Sequence, residues 1–203
     1  MAAFQKPPTV SDDYRAVEIY REAANIIYEK GFDATSMGDI AEAVDLTKGG
    51  LYYYIKGKKA LLYAIMDFAM NRLEAEVLEP ARKEEDPELR LEILLSGHAE
   101  LVIEDTSALT ILVYEEEGLD EAHRPKIRQR KRAYADFLRD TITAVLERHG
   151  RSSKIDPSMA SSSVLGTIHW IVRWHKPTSR LSQDEVVEQV TELIMHGLVP
   201  LRA

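Results

Sequence analysis

Residues 47 to 59 read TKGGLYYYIKGKK, placing Lys48, Lys56, Lys58 and Lys59 beside three consecutive tyrosines, Tyr52, Tyr53 and Tyr54, with no acid among them. Such a set suits phosphate contact: lysine attracts phosphate as a point charge, and tyrosine offers a hydroxyl and a flat face. The whole chain carries a formal net charge of −8, so this basic island is local. Exposed charges more than about 8–10 Å apart are largely screened at physiological salt. The balance therefore permits one confined nucleic-acid site and argues against a protein coated by nucleic acid.

A second set lies further on. Arg124, Lys126, Arg128, Arg130, Lys131 and Arg132 put six cations in nine residues. Guanidinium groups bind phosphate and pyrophosphate through paired hydrogen bonds. Arg128 and Arg132 are four apart and share a helix face. The acids Glu115, Glu116, Glu117, Asp120 and Glu121 precede this run, so it reads equally as a solvated, self-compensated face. Trp170 and Trp174 are also four apart, flanked by His169, Arg173 and His175. They read first as dimer or core packing, and alternatively as the wall of an apolar pocket. His98, inside an apolar helical stretch, reads as a packing residue. No nucleophile elbow, metal-ligand spacing or phosphate-cradling glycine loop occurs, so no catalytic residue, metal or cofactor is expected and the chain does not read as an enzyme. Without cysteine, disulfides and thiolate metal sites are excluded.

These residues need elements to hold them. After a tail containing Pro7 and Pro8, a helix starts near Ser11 or Asp12 and carries Val17, Tyr20, Ala24, Ile27 and Tyr28 at helical spacing. Gly31 ends it as a left-handed cap. Thr35 and Ser36 cap a short helix with Met37, Ile40, Ala41 and Val44 on one face. Asp45-Leu46-Thr47 is a tight turn, and Thr47 caps a helix over 48–54. Ile55-Lys56-Gly57 breaks it, and a long helix from Lys58 to Leu78 is ended by Pro80. Further helices are expected over 87–104, 107–117, 124–149, 157–175 and 183–197. With no alternating strand pattern, the fold class is all-α with about nine helices. It divides into a domain over 1–57 and a second over 58–203. At 45% hydrophobic residues the chain can bury a real core, and its apolar stretches fall short of the ~20 residues that span a bilayer. With no signal peptide either, a cytoplasmic protein with no membrane partner is expected.

Two short helices joined by a tight turn, the second basic at its start, describe a helix-turn-helix. Through GFDATSMGDIAEAVDLTKGGLYYYIKGKKALL the chain resembles the TetR family of bacterial transcriptional regulators, from about Val17 to Leu62. The resemblance implies that the hydroxyl pair Thr35 and Ser36 touches phosphate and that Lys48 opens the recognition helix and reaches a base. It implies that Tyr52 is the family's recurrent tyrosine and that Lys58 holds a phosphate oxygen. Thr47, Gly50 and Tyr53 complete the expected DNA-facing set. Asp45 stands where the family usually has a turn glycine, and Gly50 where it usually has Thr or Ser.

The family also implies a homodimer on palindromic double-stranded operator DNA. The expected interface is Val164, Leu165, Ile168, Ile171, Val172, Val187, Val190 and Ile194. Residues 114–142 and 165–198 resemble the branch that is released from DNA by acyl-CoA thioesters and controls lipid, aromatic or steroid catabolism. Leu101, Tyr114, Arg128, Arg132, Trp170, Arg173 and Trp174 are the candidate effector contacts. The alternative is a repressor of the same family induced by a hydrophobic drug or free metabolite, for example one controlling an efflux gene.

Overall fold

The computed structural model describes residues 10–176 and 178–199, with side chains from Tyr14 onward. Every regular element among them is helical. They are α1 (Val10–Lys30), α2 (Met37–Ala43), α3 (Lys48–Tyr54), α4 (Lys58–Arg72), a π-helical stretch (Leu73–Leu78), α5 (Glu79–Lys83) and α6 (Pro87–Glu104). Then come α7 (Thr106–Tyr114), a 3-10 turn (Glu116–Gly118), α8 (Arg124–Arg148), α9 (Pro157–Trp174) and α10 (Gln183–Leu198). Because α4, the π stretch and α5 form one continuous rod, the described residues make nine rods, unless the 3-10 turn is counted, matching the all-α expectation. The tail before Val10 and the side chains of Ser11 and Asp12 lie outside what is described. No described helix is long and apolar enough to cross a membrane.

Local chemistry sets most boundaries. Gly31 adopts φ +86° and its amide donates to the Ile27 carbonyl at 2.8 Å, closing α1. Before α6, the Asp86 carboxylate accepts from the amides of Glu88 and Leu89 at 2.9 and 3.3 Å, with Pro87 at the first position, where its missing N–H costs nothing. Asp156 and Pro157 repeat this at α9. Ser182 and Glu185 form a reciprocal capping box at α10.

Pro80 does not end the long helix, which continues to Lys83. Inside an α-helix the proline ring collides with the carbonyl four residues back. Here the preceding turn is widened to π spacing, so the amide of Glu79 donates to the Glu74 carbonyl and the chain passes Pro80 without that collision. The expected helix over 107–117 stops at Tyr114 and tightens into the 3-10 turn.

The turn between α2 and α3 carries its one strained residue: Asp45 has φ +51°, the only non-glycine among the described residues with positive φ. Left-handed backbone penalises any side chain, Asp less than most. Asp45→Gly is expected to stabilise the protein by about 0.5–1 kcal/mol, read by thermal unfolding. An unchanged or lowered Tm would show that Asp45 contributes more through its carboxylate than its backbone costs.

α6 runs through the centre, packed on α8, α9, α10 and the π stretch, while α1 packs on α2, α4 and α7. α4 and α7 thus join the two ends of the molecule. Ser107 donates to Asn25 Oδ1 at 2.8 Å between α7 and α1. Arg130 of α8 reaches across to α4 and the π stretch, donating to Asp67 (2.7 Å), Asn71 (2.8 Å) and Glu74 (2.8 Å).

Candidate DNA-contact and effector sites

The basic patch is built by α2, its turn and α3. Ser36 Oγ accepts from the amides of Gly38 and Asp39 at 3.2 Å each, and Asp39 accepts from the Ser36 amide at 2.7 Å. Hydrogen bonds from Ser36 hold the Asp39 carboxyl below the usual carboxylate range. Thr47 Oγ1 accepts from the Gly50 amide at 3.1 Å and starts α3. Leu51 and Ile55 are buried, and Arg15 of α1 donates to the Val44 carbonyl, fastening the turn. That packing leaves Thr47, Lys48, Tyr52 and Tyr53 exposed, with Gly50 half-buried beside them. Tyr54 is half-buried, meeting Tyr53 edge-on at 5.2 Å.

Other members of the expected DNA-facing set are placed differently. Thr35 is 2% exposed and its hydroxyl donates to the Gly31 carbonyl at 2.9 Å, so it caps α1 from within and has no surface for a phosphate. Ser36 stays exposed, its oxygen engaged in the cap. Lys58 donates to the Asp33 carbonyl at 3.1 Å and lies 4.4 Å over the Phe32 ring, so a phosphate must compete for it. The side chain of Lys48 lies back over the first turn of α2, where a Cβ on Gly38 would come within 2.8 Å of its Cε. A Cβ on Gly50 would make only ordinary contacts, 3.4 Å from Thr47 Oγ1 and 3.7 Å from Leu46 Cδ2, so packing does not demand glycine there.

The candidate effector residues are not brought to one place. Arg128 and Arg132 line a depression of about 410 Å³ on α8, which Trp170, Arg173 and Trp174 do not line. Arg128 is paired with Glu116 at 2.6 Å, as is Lys131 at 3.0 Å, and Arg124 holds the Glu117 and Leu119 carbonyls. Burial alone would raise the Glu116 carboxyl, but the hydrogen bonds from Lys131 and Arg128 hold it below its ordinary value. The self-compensated reading of the basic run therefore describes most of it. Leu101 is buried in the core, and Tyr114 is exposed at the end of α7. A cleft of about 460 Å³ opens between α6 and α9, lined by Ile103, Thr106, Ile171, Val172, Leu181 and neighbours.

Of the expected interface residues, Val164, Ile168, Ile171, Val172 and Val187 are buried within the single chain, and Leu165, Val190 and Ile194 are partly buried. A residue such as Ile168, 1% exposed, has almost no surface left for a partner. The outward stripe of α9 consists instead of Met159, Ser163, Thr167, Trp170 and Trp174, spaced three or four apart, with Met159, Trp170 and Trp174 the large exposed apolar members. With Leu193 of α10, 71% exposed, the first three flank an almost wholly apolar groove of about 330 Å³.

One cluster escaped the residue pattern. His98 of α6, Tyr134 of α8 and His169 of α9 meet inside the bundle: Tyr134 Oη lies 3.0 Å from His98 Nδ1, and the two imidazole centroids are 5.1 Å apart. Burial, reinforced by His169, lowers His98 to about 3; burial and then Lys131 lower His169 to about 4. Both rings are neutral at physiological pH. As pH falls, the unfolded chain takes up these protons first, so stability is full above about 6.5 and is lost below it. His98 alone is expected to cost about 2 kcal/mol between pH 6.5 and 5, a window above the carboxylate range. Urea unfolding at the two pH values, with and without His98→Phe, measures it; equal losses in both proteins would reject the assignment.

The sequence matches two family models, bacterial regulatory proteins of the tetR family over residues 19–65 and the tetracyclin repressor-like C-terminal domain over 84–198. It is 25% identical over 200 residues to the HTH-type transcriptional repressor KstR2 of Rhodococcus jostii (strain RHA1), covering 95% of this chain and 97% of that one. The crystal structure of AibR in complex with isovaleryl coenzyme A and operator DNA superposes with a TM-score of 0.80 at 33% identity, covering 93% of this chain and 100% of AibR. The TetR family regulator PfmR from Thermus thermophilus superposes at 0.77 with 28% identity, covering 91% of this chain and 99% of that one.

Proposed function

The chain belongs to the TetR family of bacterial transcriptional regulators, and from that premise we propose that it is a homodimeric repressor released from its operator by a coenzyme A thioester. The observation that carries this is its likeness, over nearly its whole length, to AibR, whose structure holds both isovaleryl coenzyme A and operator DNA. Residues 1–57 form the DNA-binding part and 58–203 the effector and dimerisation part. Lys48, Tyr52 and Tyr53, with Thr47 and Gly50 beside them, present α3 to the major groove, while Ser36 and Lys58 flank it at phosphate positions.

The partner copy covers the α9–α10 stripe of Met159, Trp170, Trp174 and Leu193, an apolar face of the kind that marks an association surface. Two recognition helices are then held at one half-site spacing. An effector releases DNA only by favouring a conformation in which that spacing is wrong. Arg128 and Arg132, at the solvent side of α8, are where coenzyme A phosphates would be held.

Fluorescence anisotropy of labelled DNA from the region upstream of its own gene tests this reading. Tight binding, reversed by isovaleryl-, long-chain or steroid-derived CoA thioesters, is the expected result. DNA binding that none of these changes, but that a hydrophobic drug or free acid reverses, would replace the thioester with the other inducer class.

A further inference from the structure

The buried cluster of His98, Tyr134 and His169 has a property that packing does not explain. His98 is 2% exposed and Tyr134 is 4% exposed, yet His98 Nε2 has no hydrogen-bond partner among the described residues. Native proteins seldom leave a buried polar atom unpaired, because doing so forfeits its hydration for nothing.

The tautomer follows from the neighbours. A buried phenol stays protonated, and a neutral imidazole nitrogen is a better acceptor than a phenol oxygen. Tyr134 therefore donates to His98 Nδ1 across their 3.0 Å contact. The one proton of neutral His98 is then on Nε2. The orphan atom is a donor, and what it lacks is an acceptor. Lys131, the ammonium that acts on His169, is already matched by Glu116 at 3.0 Å, so the site favours a neutral acceptor over an anion.

A partly apolar cleft lies along the same two helices. The cleft of about 460 Å³ is lined by Ile103 of α6 and by Ile171 and Val172 of α9. These lie five residues beyond His98 and two to three beyond His169, within about 8 Å along either axis; the cluster does not itself line the cleft, so a bound acyl group would have to extend the cleft inward to reach Nε2. We propose that His98 is a ligand-contact residue whose Nε2–H donates to the carbonyl oxygen of an effector's acyl group, with Tyr134 as the positioning residue that fixes its tautomer. This rests on the thioester reading of the function and assigns the polar end of the acyl site, separate from Arg128 and Arg132.

Calorimetric titration of the full-length protein with isovaleryl-CoA and palmitoyl-CoA, each beside the thioether analogue that has CH2 in place of the carbonyl, tests it. The wild type is expected to bind a thioester about 10-fold more tightly than its thioether, and His98→Phe to bind both at the thioether level. Tyr134→Phe, which keeps the ring and loses the tautomer lock, is expected to narrow the preference. A preference that survives in His98→Phe, or that is absent from the wild type while both compounds bind, overturns the assignment alone. Binding of neither class overturns the thioester reading and this assignment with it. Should His98→Phe fail to fold, the Tyr134→Phe titration and the 15N shifts of the wild-type His98 ring decide. A bare Nε2, or an Nε2–H whose signal is unmoved by the bound thioester because an ordered water already occupies it, rejects the contact.

Discussion

Leu193→Arg is expected to convert the protein from dimer to monomer and to weaken operator binding by at least ~100-fold. Leu193 is 71% exposed on the isolated chain, so its replacement leaves the fold within about 0.5 kcal/mol of the wild type. It borders the apolar groove with Met159, Ile194 and Gly197, where a guanidinium would have to be desolvated opposite a second apolar copy. The loss in DNA binding follows from geometry. Two linked recognition helices engage two half-sites with an effective local concentration that one helix on its own lacks. Light scattering reads the first effect and anisotropy the second. A variant that stays dimeric and binds DNA normally would place the partner on another face.

Gly118→Val is expected to destabilise the protein by about 1–3 kcal/mol and to weaken DNA binding while leaving the dimer intact. Gly118 ends the 3-10 turn of the effector part and presses on the DNA-binding part. A Cβ there would lie 2.8 Å from Leu62 Cδ2 and 3.0 Å from two Phe32 ring carbons. Neither neighbour can swing aside freely, since both are buried and Phe32 is also covered by Lys58. The strain is therefore passed to the α1–α2 loop and to the start of α4, the two segments that aim α2 and α3. Glu116, two residues earlier, is held by Arg128 and Lys131 of α8. The contact thus joins the basic face of the effector part to the base of the helix-turn-helix. Within the effector part, Tyr63 of α4 stacks on His123 at 4.0 Å and ties α4 to the start of α8. Wild-type operator affinity with unchanged Tm in Gly118→Val would remove the 3-10 turn from any coupling role.

Local signals made the DNA-binding part legible. The Thr47 cap, the left-handed turn at Asp45 and the break at Ile55-Lys56-Gly57 are each decided by neighbours within a few residues, and α3 spans Lys48–Tyr54 as those signals indicate. The same holds for α6, fixed by Asp86 and Pro87. What sequence spacing could not give was the choice between two apolar surroundings. Ile168 and Ile171 form an apolar stripe whether it meets a partner or the chain's own core, and the close packing of α9 on α6 and α8 sent it inward. Thr35 shows the same ambiguity for a hydroxyl, which serves a phosphate or a carbonyl equally well and here bonds to Gly31. The pairing of Arg128 with Glu116 spans twelve residues across a turn, and the union of His98, Tyr134 and His169 draws on three helices. Neither leaves a mark at any fixed sequence interval.

The widened turn before Pro80 has a consequence for chain length. A π turn is how a helix absorbs one residue more than α spacing accommodates. Up to its first residues, Asp67, Asn71 and Glu74 are in phase with Arg130 of α8. Towards its end, Val77 fits against α6 so closely that a Cβ on Gly97 would come within 3.2 Å of its Cγ2. Deleting the exposed Ala75 would restore regular winding and rotate everything after it by about 100° relative to everything before. One of the two alignments would then be lost. Single-residue insertions and deletions in this rod are therefore changes of rotational register, and a relative one residue shorter here must have re-paired either its arginine or its glycine contact.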